Sequence, residues 1–269
     1  MKGLNHLYQH INILSLDVVA GAVIGSLFFA RIFVVTVSTA VLAALALTVW
    51  IIYTIDHLRD AKTIRKVAFT DRHRFHQEHF RVVLIILGVA IAADATLVFF
   101  VPPVILKLGT YLALVVLAYL IFQRHLKFLK EVFVACLYTA GILLPSIAVI
   151  PYDLQPMHYL IIGKFFITAL MNLLLFSLFD YRRDRSQQQH SFVTWFSPSF
   201  TQYGIMILGL LNIFSGLRLW GFDPLVAFIF ITMNLLLLSI LFFRKRLADN
   251  NCYRMLGDAV FFIPVISLL

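Results

Sequence analysis

The chain is dominated by apolar stretches, each about as long as a helix that crosses a lipid bilayer. Of its 269 residues, 61% are hydrophobic and only 13% are charged. About a quarter of the residues in a soluble protein are charged, so a soluble globular fold is excluded. We predict an all-α, polytopic membrane bundle of nine transmembrane helices. Eight stretches have the length of a span and a shorter one ends the chain: 11–32, 33–55, 80–101, 104–122, 131–151, 157–179, 199–220, 224–243 and 256–269.

The segments between these stretches are too short to fold alone, so residues 1–269 are expected to form a single integral membrane domain. The first stretch follows MKGLNHLYQHIN and ends without a small-residue cleavage pattern. It is therefore predicted to be a retained span, not a signal peptide. Cys136 lies in an apolar stretch and Cys252 in a polar loop, so no disulfide framework is expected.

Basic residues are concentrated in alternate loops. Seventeen of the 22 Lys and Arg are Lys2 or lie in loops 56–79, 123–130, 180–198 and 244–255. Loops that face the cytoplasm carry such an excess of basic residues. We therefore expect these loops and the N-terminus to face the cytoplasm, in a bacterial inner membrane. The net charge of +9 is explained in this way, and no nucleic-acid partner is expected.

Two pairs of aspartates stand at the cytoplasmic ends of predicted spans. Asp56 and Asp60 occur in YTIDHLRDAK after the second span, and Asp180 and Asp184 occur in FDYRRDRS after the sixth. Residues four apart lie on one helix face, so both carboxylates of a pair can contact one ligand. Their hard oxygens suit Mg²⁺, which is commonly held by carboxylates, water and phosphate oxygens. A solvated helix end would explain one pair, but the repeated spacing on the same side favours a site for a metal and a diphosphate.

The motifs DHLRD and DYRRD resemble the two aspartate motifs of the UbiA superfamily of intramembrane prenyltransferases. In that family N-D-x-x-D-x-x-x-D ends helix two and D-x-x-x-D ends helix six, and the span order is similar over nearly the whole chain. The resemblance implies a cytoplasm-facing cavity, Mg²⁺ as cofactor and a role in isoprenoid biosynthesis. The implied reaction transfers an isoprenyl group from a prenyl diphosphate to an aromatic or other lipid-precursor acceptor. The implied catalytic and metal-binding residues are Asp56, Asp60, Asp180 and Asp184.

The chain departs from the family pattern at both motifs. Ile52 and Tyr53 stand where the family has Asn-Asp, so the first motif keeps only its last two aspartates. Tyr53 can still donate a hydrogen bond to a phosphate oxygen. After Asp184, RSQQQHSFVT replaces the usual glycine-containing stretch. Three alternatives therefore stay open: a divergent transferase, a terpene cyclase acting on a prenyl diphosphate, and a non-catalytic binding or transport protein with an eroded site.

The segment YLIFQRHLKFLKEV is similar to the family's tyrosine-plus-basic segment before helix five. The resemblance implies that this segment helps to bind the prenyl diphosphate, since Arg and Lys contact phosphate oxygens well. Positive charge on the cytoplasmic side of the membrane explains its basic residues equally well. The candidates in this segment are Tyr119, Arg124, Lys127 and Lys130.

The first cytoplasmic loop continues as FTDRHRFHQEHF, and the corresponding family loop covers the active site. Arg72, Arg74 and His76 are therefore candidates for contacts with the diphosphate or the acceptor. A basic helix on lipid headgroups is the alternative. The histidines also suggest a membrane di-iron oxygenase, but such enzymes need several tight histidine boxes around two irons. This chain has no adjacent histidine pair.

Polar residues within or at the edge of the spans are expected to face the bundle interior. Asp17 would border the acceptor pocket, and so would Asn12 at the start of the first span. On a regular helix these two, five residues apart, point in different directions. Asn172, two turns before the second aspartate pair, is predicted to face the same cavity. Asp94 and Lys164 are predicted to pair between spans three and six, whereas a transporter would need them to line a crossing path.

Overall fold

The structure, a computed structural model, describes residues 11–63, 71–186, 190–247 and 252–269. Within these ranges the chain forms α-helices and short 3₁₀ turns, and no strand. The long helices are α1 (Leu16–Ile32), α2 (Thr39–Thr63), α4 (Phe80–Leu97), α5 (Pro103–Phe122), α6 (Lys130–Ile147), α7 (Pro156–Ser186), α9 (Pro198–Gly216) and α10 (Pro224–Phe242). The short helices are α3 (Asp71–Glu78), α8 (Phe192–Phe196), α11 (Arg244–Leu247) and α12 (Cys252–Ala259), and α12 continues as a 3₁₀ helix over Val260–Leu268.

The prediction of an all-helical membrane protein is confirmed. Among the described residues, seven helices are long and apolar enough to cross a bilayer. Helices suit this environment because every backbone polar group must be satisfied within the segment. The predicted first span corresponds to α1, which has 17 residues, and the predicted ninth corresponds to α12 with the 3₁₀ helix after it. For these two end segments the count of nine crossings stays a prediction.

Helices α2 and α7 extend beyond the spans predicted from hydropathy. The predicted spans end at residues 55 and 179, whereas α2 continues to Thr63 and α7 to Ser186. Both aspartate pairs therefore lie on the last turns of continuous helices. Each pair keeps the geometry of residues four apart on one helix face.

The bundle is closed by packing between helices that are distant in sequence. Helix α1 packs against α2, α6 and the C-terminal 3₁₀ helix, while α7 packs against α6, α9 and α10. A cluster of fully buried aromatic rings fills the contact between α1, α7 and α10, with Phe28, Phe29 and Phe165 among its members. The Phe29 and Phe165 rings meet edge to face, with centroids 5.2 Å apart. Helix α4 packs on α2 and α5 on α6, so these two form one outer side of the bundle.

The predicted ion pair between Asp94 and Lys164 is wrong. Lys164 is 1% exposed, and its ammonium donates to the backbone and side-chain carbonyls of Asn212 and to Ser215 Oγ. Asp94 instead accepts a hydrogen bond from Thr48 Oγ1 at 3.0 Å. The two residues are separated because α4 packs against α2 and α7 packs against α9. Carbonyl oxygens can satisfy a buried ammonium, so a carboxylate partner is not required.

Gly257 of α12 allows a close approach to α7. A Cβ atom at this position would contact Asn172 Oδ1 and lie 2.6 Å from Phe176 Cε1. We expect Gly257→Ala to lower the free energy of unfolding by about 1–3 kcal/mol, the usual cost of overpacking. Thermal unfolding of the purified protein in detergent measures this change.

Gly163→Ala in α7 is the matched control, because a Cβ atom there meets nothing within 4 Å. Alanine is a better helix former than glycine, so this variant should keep its stability or gain up to about 1 kcal/mol. Equal unfolding midpoints for the two variants would contradict the tight contact at Gly257.

Candidate active site

A cavity of about 1500 Å³ lies between α1, α2, α5, α6, α7 and α12. Its wall is apolar along the middle of α2, α5 and α6, and polar where α2, α5 and α7 end. Sites for drug-sized ligands usually measure about 300–1000 Å³, so this cavity has room for a long apolar chain and a second molecule. Both predicted aspartate pairs line it: Asp56, Asp60, Asp180 and Asp184.

The first pair projects from the last turns of α2. Asp56 and Asp60 are both half-buried, and Asp56 Oδ1 accepts a hydrogen bond from the Gln123 amide at 3.3 Å. Arg59, which lies between the two, donates to the backbone carbonyl of Leu120 near the end of α5. The guanidinium of Arg59 therefore holds α2 against α5 at the rim of the cavity.

The second pair, on α7, is engaged by side chains of the protein itself. Asp180 Oδ1 accepts a hydrogen bond from the Tyr253 hydroxyl at 2.8 Å. Its Oδ2 accepts from Arg254 and from Arg183, the latter at 2.9 Å. Tyr253 and Arg254 belong to α12, so the Asp180 carboxylate joins this C-terminal helix to α7.

The surroundings of Tyr253 and Arg254 determine their protonation. Burial raises the pKa of the Tyr253 phenol above its ordinary value, and the neighbouring Arg254 opposes this only in part. Burial alone would lower the pKa of Arg254, but the adjoining Asp180 carboxylate and Tyr253 raise it above its ordinary value. At neutral pH, Tyr253 is therefore a hydrogen-bond donor and Arg254 is a cation.

Lys130 and Glu131, the first two residues of α6, line the same cavity as the two pairs. The Lys130 ammonium is close enough for its charge to act on both Asp56 and Asp184. Glu131 Oε1 accepts from the backbone N–H of Phe192 at 2.9 Å, at the start of α8. The Glu131 side chain is buried in the cavity wall near the Ser177 hydroxyl. The Lys130 ammonium thus interacts electrostatically with both aspartate pairs.

Asn12 and Asp17 lie together in the wall formed by α1 and α12, although a regular helix would point them in different directions. Asn12 Nδ2 donates to Asp17 Oδ2 at 2.5 Å and to Asp258 Oδ2 at 3.5 Å. The reason is Ser15, whose left-handed φ of 56° interrupts the helix between them. The expected divergence of Asn12 and Asp17 is therefore wrong, and Asp258 joins them.

Three further predicted binding residues line the cavity: Tyr53, Tyr119 and Asn172. Tyr53 lies on α2 one turn before the first aspartate pair, and Tyr119 lies near the end of α5. Asn172 is buried on α7, and its Oδ1 has no hydrogen-bond partner within the residues described. Their roles in substrate binding stay predictions.

Other predicted binding residues lie elsewhere. In the described ranges, the cavity lining does not include Arg74, His76 or Lys127. His76 is buried with its ring 5.2 Å from that of His57, and the Lys127 ammonium lies 5.2 Å from the ring centre of Trp195. The side chains of two candidates lie outside the described residues: Arg72 and Arg124.

Sequence reasoning missed several residues that line the cavity or touch its acidic groups, namely Glu131, Tyr253, Arg254 and Asp258. In the sequence, Arg254 is only one of several basic residues in a loop predicted to face the cytoplasm. A signal was present, because Glu131 and Asp258 are ionisable residues at the edges of apolar stretches. What the sequence did not reveal is that the C-terminal segment returns to the end of α7.

The acidic groups differ in how well they fit Mg²⁺. Asp56 and Asp60 offer hard oxygens one helical turn apart, and the neutral Gln123 amide on Asp56 is a donor that a cation can replace. Asp180 fits poorly because both of its oxygens already accept hydrogen bonds from charged or phenolic donors. In the part of the chain that the structure describes, no three acidic, His or Cys side chains converge on one point. An Mg²⁺ ion here would therefore complete its shell with water and phosphate oxygens.

Comparison with solved structures gives a fold match over nearly the whole chain. A UbiA homologue from Archaeoglobus fulgidus bound to GPP and Mg²⁺ is 11% identical, with a TM-score of 0.67, covering 95% of this chain and 98% of that one. An apo UbiA homologue from Aeropyrum pernix K1 is 12% identical, with a TM-score of 0.65, covering 95% and 99%. A digeranylgeranylglyceryl phosphate synthase is 13% identical, with a TM-score of 0.56, covering 95% and 93%. No family model and no curated protein sequence matches the chain.

Tyr253→Phe tests the connection between α12 and Asp180. The variant keeps the ring but leaves Asp180 Oδ1 without its phenolic donor. We expect the free energy of unfolding to fall by about 1–3 kcal/mol, as for a lost hydrogen bond to a charged group. Tyr111→Phe, whose side chain is 56% exposed on α5, is the control. If both variants unfold at the same temperature in detergent, the Tyr253 bond does not contribute.

Proposed function

We propose that this chain, which has the fold of the UbiA homologues, is a prenyltransferase acting on a prenyl diphosphate inside the membrane. The observation that carries the proposal is the cavity, which joins a polar end with both aspartate pairs to a long apolar wall. A diphosphate suits the polar end, and an isoprenoid tail suits the apolar wall. Neighbours with this fold that were solved with DMAPP or GPP together with Mg²⁺ support the same substrate class.

In the proposed reaction the C–O bond of the prenyl diphosphate breaks, and the diphosphate leaves with the electron pair. The prenyl carbon then bonds to the acceptor, which loses a proton. Asp56 and Asp60 would hold Mg²⁺, which when bound supplies Lewis-acid neutralisation of the leaving group. The Lys130 ammonium attracts the diphosphate from between the two pairs. The apolar helices exclude water from the electron-poor prenyl carbon, so that transfer competes well with hydrolysis.

The acceptor would lie against the polar wall near the aspartate pairs. Glu131 and Asn172 line the same cavity, and rotation of either side chain would let its oxygen accept a hydrogen bond from a hydroxyl group of the acceptor. Asn12, Asp17 and Asp258 provide a second polar group in the same cavity. An aromatic or lipid acceptor with a donor group fits this chemistry.

The orientation belongs to the proposal as well. Basic residues are concentrated at the helix ends that carry the aspartates, which supports a cytoplasmic location for the polar end of the cavity. We treat residues 1–269 as one membrane domain, and a bacterial inner membrane as its location.

A second candidate is a membrane protein that binds prenyl diphosphates without turning them over. Two observations favour it: Ile52 and Tyr53 replace the expected Asn-Asp, and Asp180 is held by Arg254, Arg183 and Tyr253. Both features reduce the number of carboxylate oxygens available to a metal. The two candidates differ in turnover, because only the prenyltransferase releases diphosphate from its substrate.

Release of diphosphate from farnesyl or geranylgeranyl diphosphate by the purified protein tests the proposed function. Release should require Mg²⁺ and should stop on addition of EDTA. Asp56→Asn and Asp60→Asn should each lower kcat/KM by about 100- to 1000-fold, because each removes charge that stabilises the leaving group. Asp153→Asn, at an exposed position between α6 and α7, is the control and should keep full activity.

Three outcomes are informative. Mg²⁺-dependent release that the aspartate variants lose supports the transferase. Mg²⁺-dependent binding of the diphosphate without release under any acceptor mixture supports the second candidate. If the protein neither binds nor releases the diphosphate, the transferase and the second candidate are both refuted.

The length of the apolar wall should limit the donor's chain length. Gly109 of α5 lines the cavity, and a Cβ atom there meets nothing within 4 Å, so a phenylalanine ring would project into the open space. Gly109→Phe should reduce kcat/KM for geranylgeranyl diphosphate relative to geranyl diphosphate by about tenfold or more, since even one methylene group changes a pocket's preference measurably. Gly88→Phe, on α4 away from the cavity lining, is the control. If Gly109→Phe leaves the ratio of the two kcat/KM values unchanged, the isoprenoid tail does not lie beside Gly109.

A further inference from the structure

Arg254 lies near the start of α12 and contacts two residues of α7, Asp180 and Phe176. It lines the cavity, and its guanidinium lies 5.2 Å from the ring centre of Phe176. Nη2 donates to Asp180 Oδ2, and Nε donates to the Tyr253 hydroxyl at 3.3 Å. The position of the cation is therefore fixed from three directions, by a carboxylate, a phenol and an aromatic face.

The Arg254 guanidinium has more N–H donors than its contacts with the protein use. Arginine has five N–H donors, and the bonds to Asp180 and Tyr253 account for two of them. Nη1 makes no hydrogen bond within the described part of the chain, although Arg254 lines the cavity. A planar guanidinium with unused donors is well suited to phosphate oxygens, which it can contact through two parallel bonds.

The same contacts make Asp180 a poor metal ligand. A metal ion at Asp180 would have to displace Arg254, Arg183 and Tyr253 from its two oxygens. The first motif has also lost carboxylate oxygens, since Ile52 and Tyr53 replace Asn-Asp. Asp180 is therefore poorly arranged for metal binding, and the Arg254 cation lies beside it.

We propose that Arg254 binds the diphosphate directly, with Asp180 as its positioning residue. Its guanidinium thus supplies, at the second aspartate pair, positive charge of the kind that a metal ion would otherwise provide there. This inference rests on the proposed function, because it takes a diphosphate as the ligand of the cavity. Asp180 then orients a cation, while Asp56 and Asp60 are left as the metal-binding pair.

Binding of geranyl diphosphate to the purified full-length protein in lipid nanodiscs tests the inference by titration calorimetry over a range of Mg²⁺ concentrations. Arg254→Met should weaken binding by about tenfold or more, the loss expected for a charge-assisted contact. Arg254→Lys should recover part of the affinity, because it keeps the charge without the planar fork. Binding to Arg254→Met should also depend more steeply on Mg²⁺, since the variant releases an Asp180 oxygen for a metal.

Arg246→Met is the matched control. It removes a basic residue from the neighbouring helix α11, where the guanidinium lies over the Phe243 ring away from the cavity lining. Its affinity and Mg²⁺ dependence should equal those of the unmodified protein. Thermal unfolding of each variant establishes that the titrated protein is folded.

A purely structural role for Arg254 makes a different prediction. Arg254→Met and Arg254→Lys would then unfold at lower temperature, while affinity and Mg²⁺ dependence at low temperature stay those of the unmodified protein. That result would overturn the inference and leave the proposed function intact. If the unmodified protein binds no geranyl diphosphate in the presence of Mg²⁺, the proposed function fails and this inference with it.

Discussion

The polar end of the bundle depends on how the Asp180 carboxylate is compensated. A carboxylate buried among helices is costly unless hydrogen bonds and opposite charge surround it. Here the compensation comes from Arg183 on the same helix and from Tyr253 and Arg254 on α12. The stabilisation of one charge thus connects the C-terminal segment to the end of α7.

A second polar contact is formed by the same C-terminal helix. Once α12 is held at the end of α7, its Asp258 faces the start of α1, where Asn12 Nδ2 donates both to it and to Asp17. Three elements far apart in sequence therefore meet at one wall of the cavity. Away from this wall, the buried Lys164 ammonium is satisfied by Asn212 and Ser215. In the cavity wall, Arg254 Nη1 makes no hydrogen bond within the described residues.

Local features of the sequence were sufficient for the helices and for the position of both aspartate pairs. Apolar length indicates the spans, and the four-residue spacing puts each pair on one helix face whatever its neighbours are. Contacts between helices were not predictable, because helices that are apolar nearly all round do not indicate which face meets which partner. For this reason the prediction that Asp94 pairs with Lys164 is wrong.

Two further features of the site could not be predicted from the sequence, for physical reasons. The contact between Asn12 and Asp17 depends on a single backbone dihedral, because Ser15 adopts a left-handed conformation that its sequence neighbours do not require. The bond between Asp180 and Arg254 joins residues 74 positions apart. This bond requires α12 to pack against α7, so no local sequence pattern predicts it.

The length of α7 has a consequence for how an amphipathic molecule would enter the cavity. Its 31 residues extend about 46 Å, compared with a hydrocarbon layer of about 30 Å. Part of α7 therefore extends beyond the hydrocarbon, and the charged residues of FDYRRDRS, which include Asp180 and Asp184, favour its C-terminal end for the headgroup region. A lipid with a charged head could keep its head hydrated and its tail in hydrocarbon throughout loading. The free-energy barrier to entry would then reflect lateral diffusion and side-chain rearrangement, with little contribution from dehydrating the phosphates.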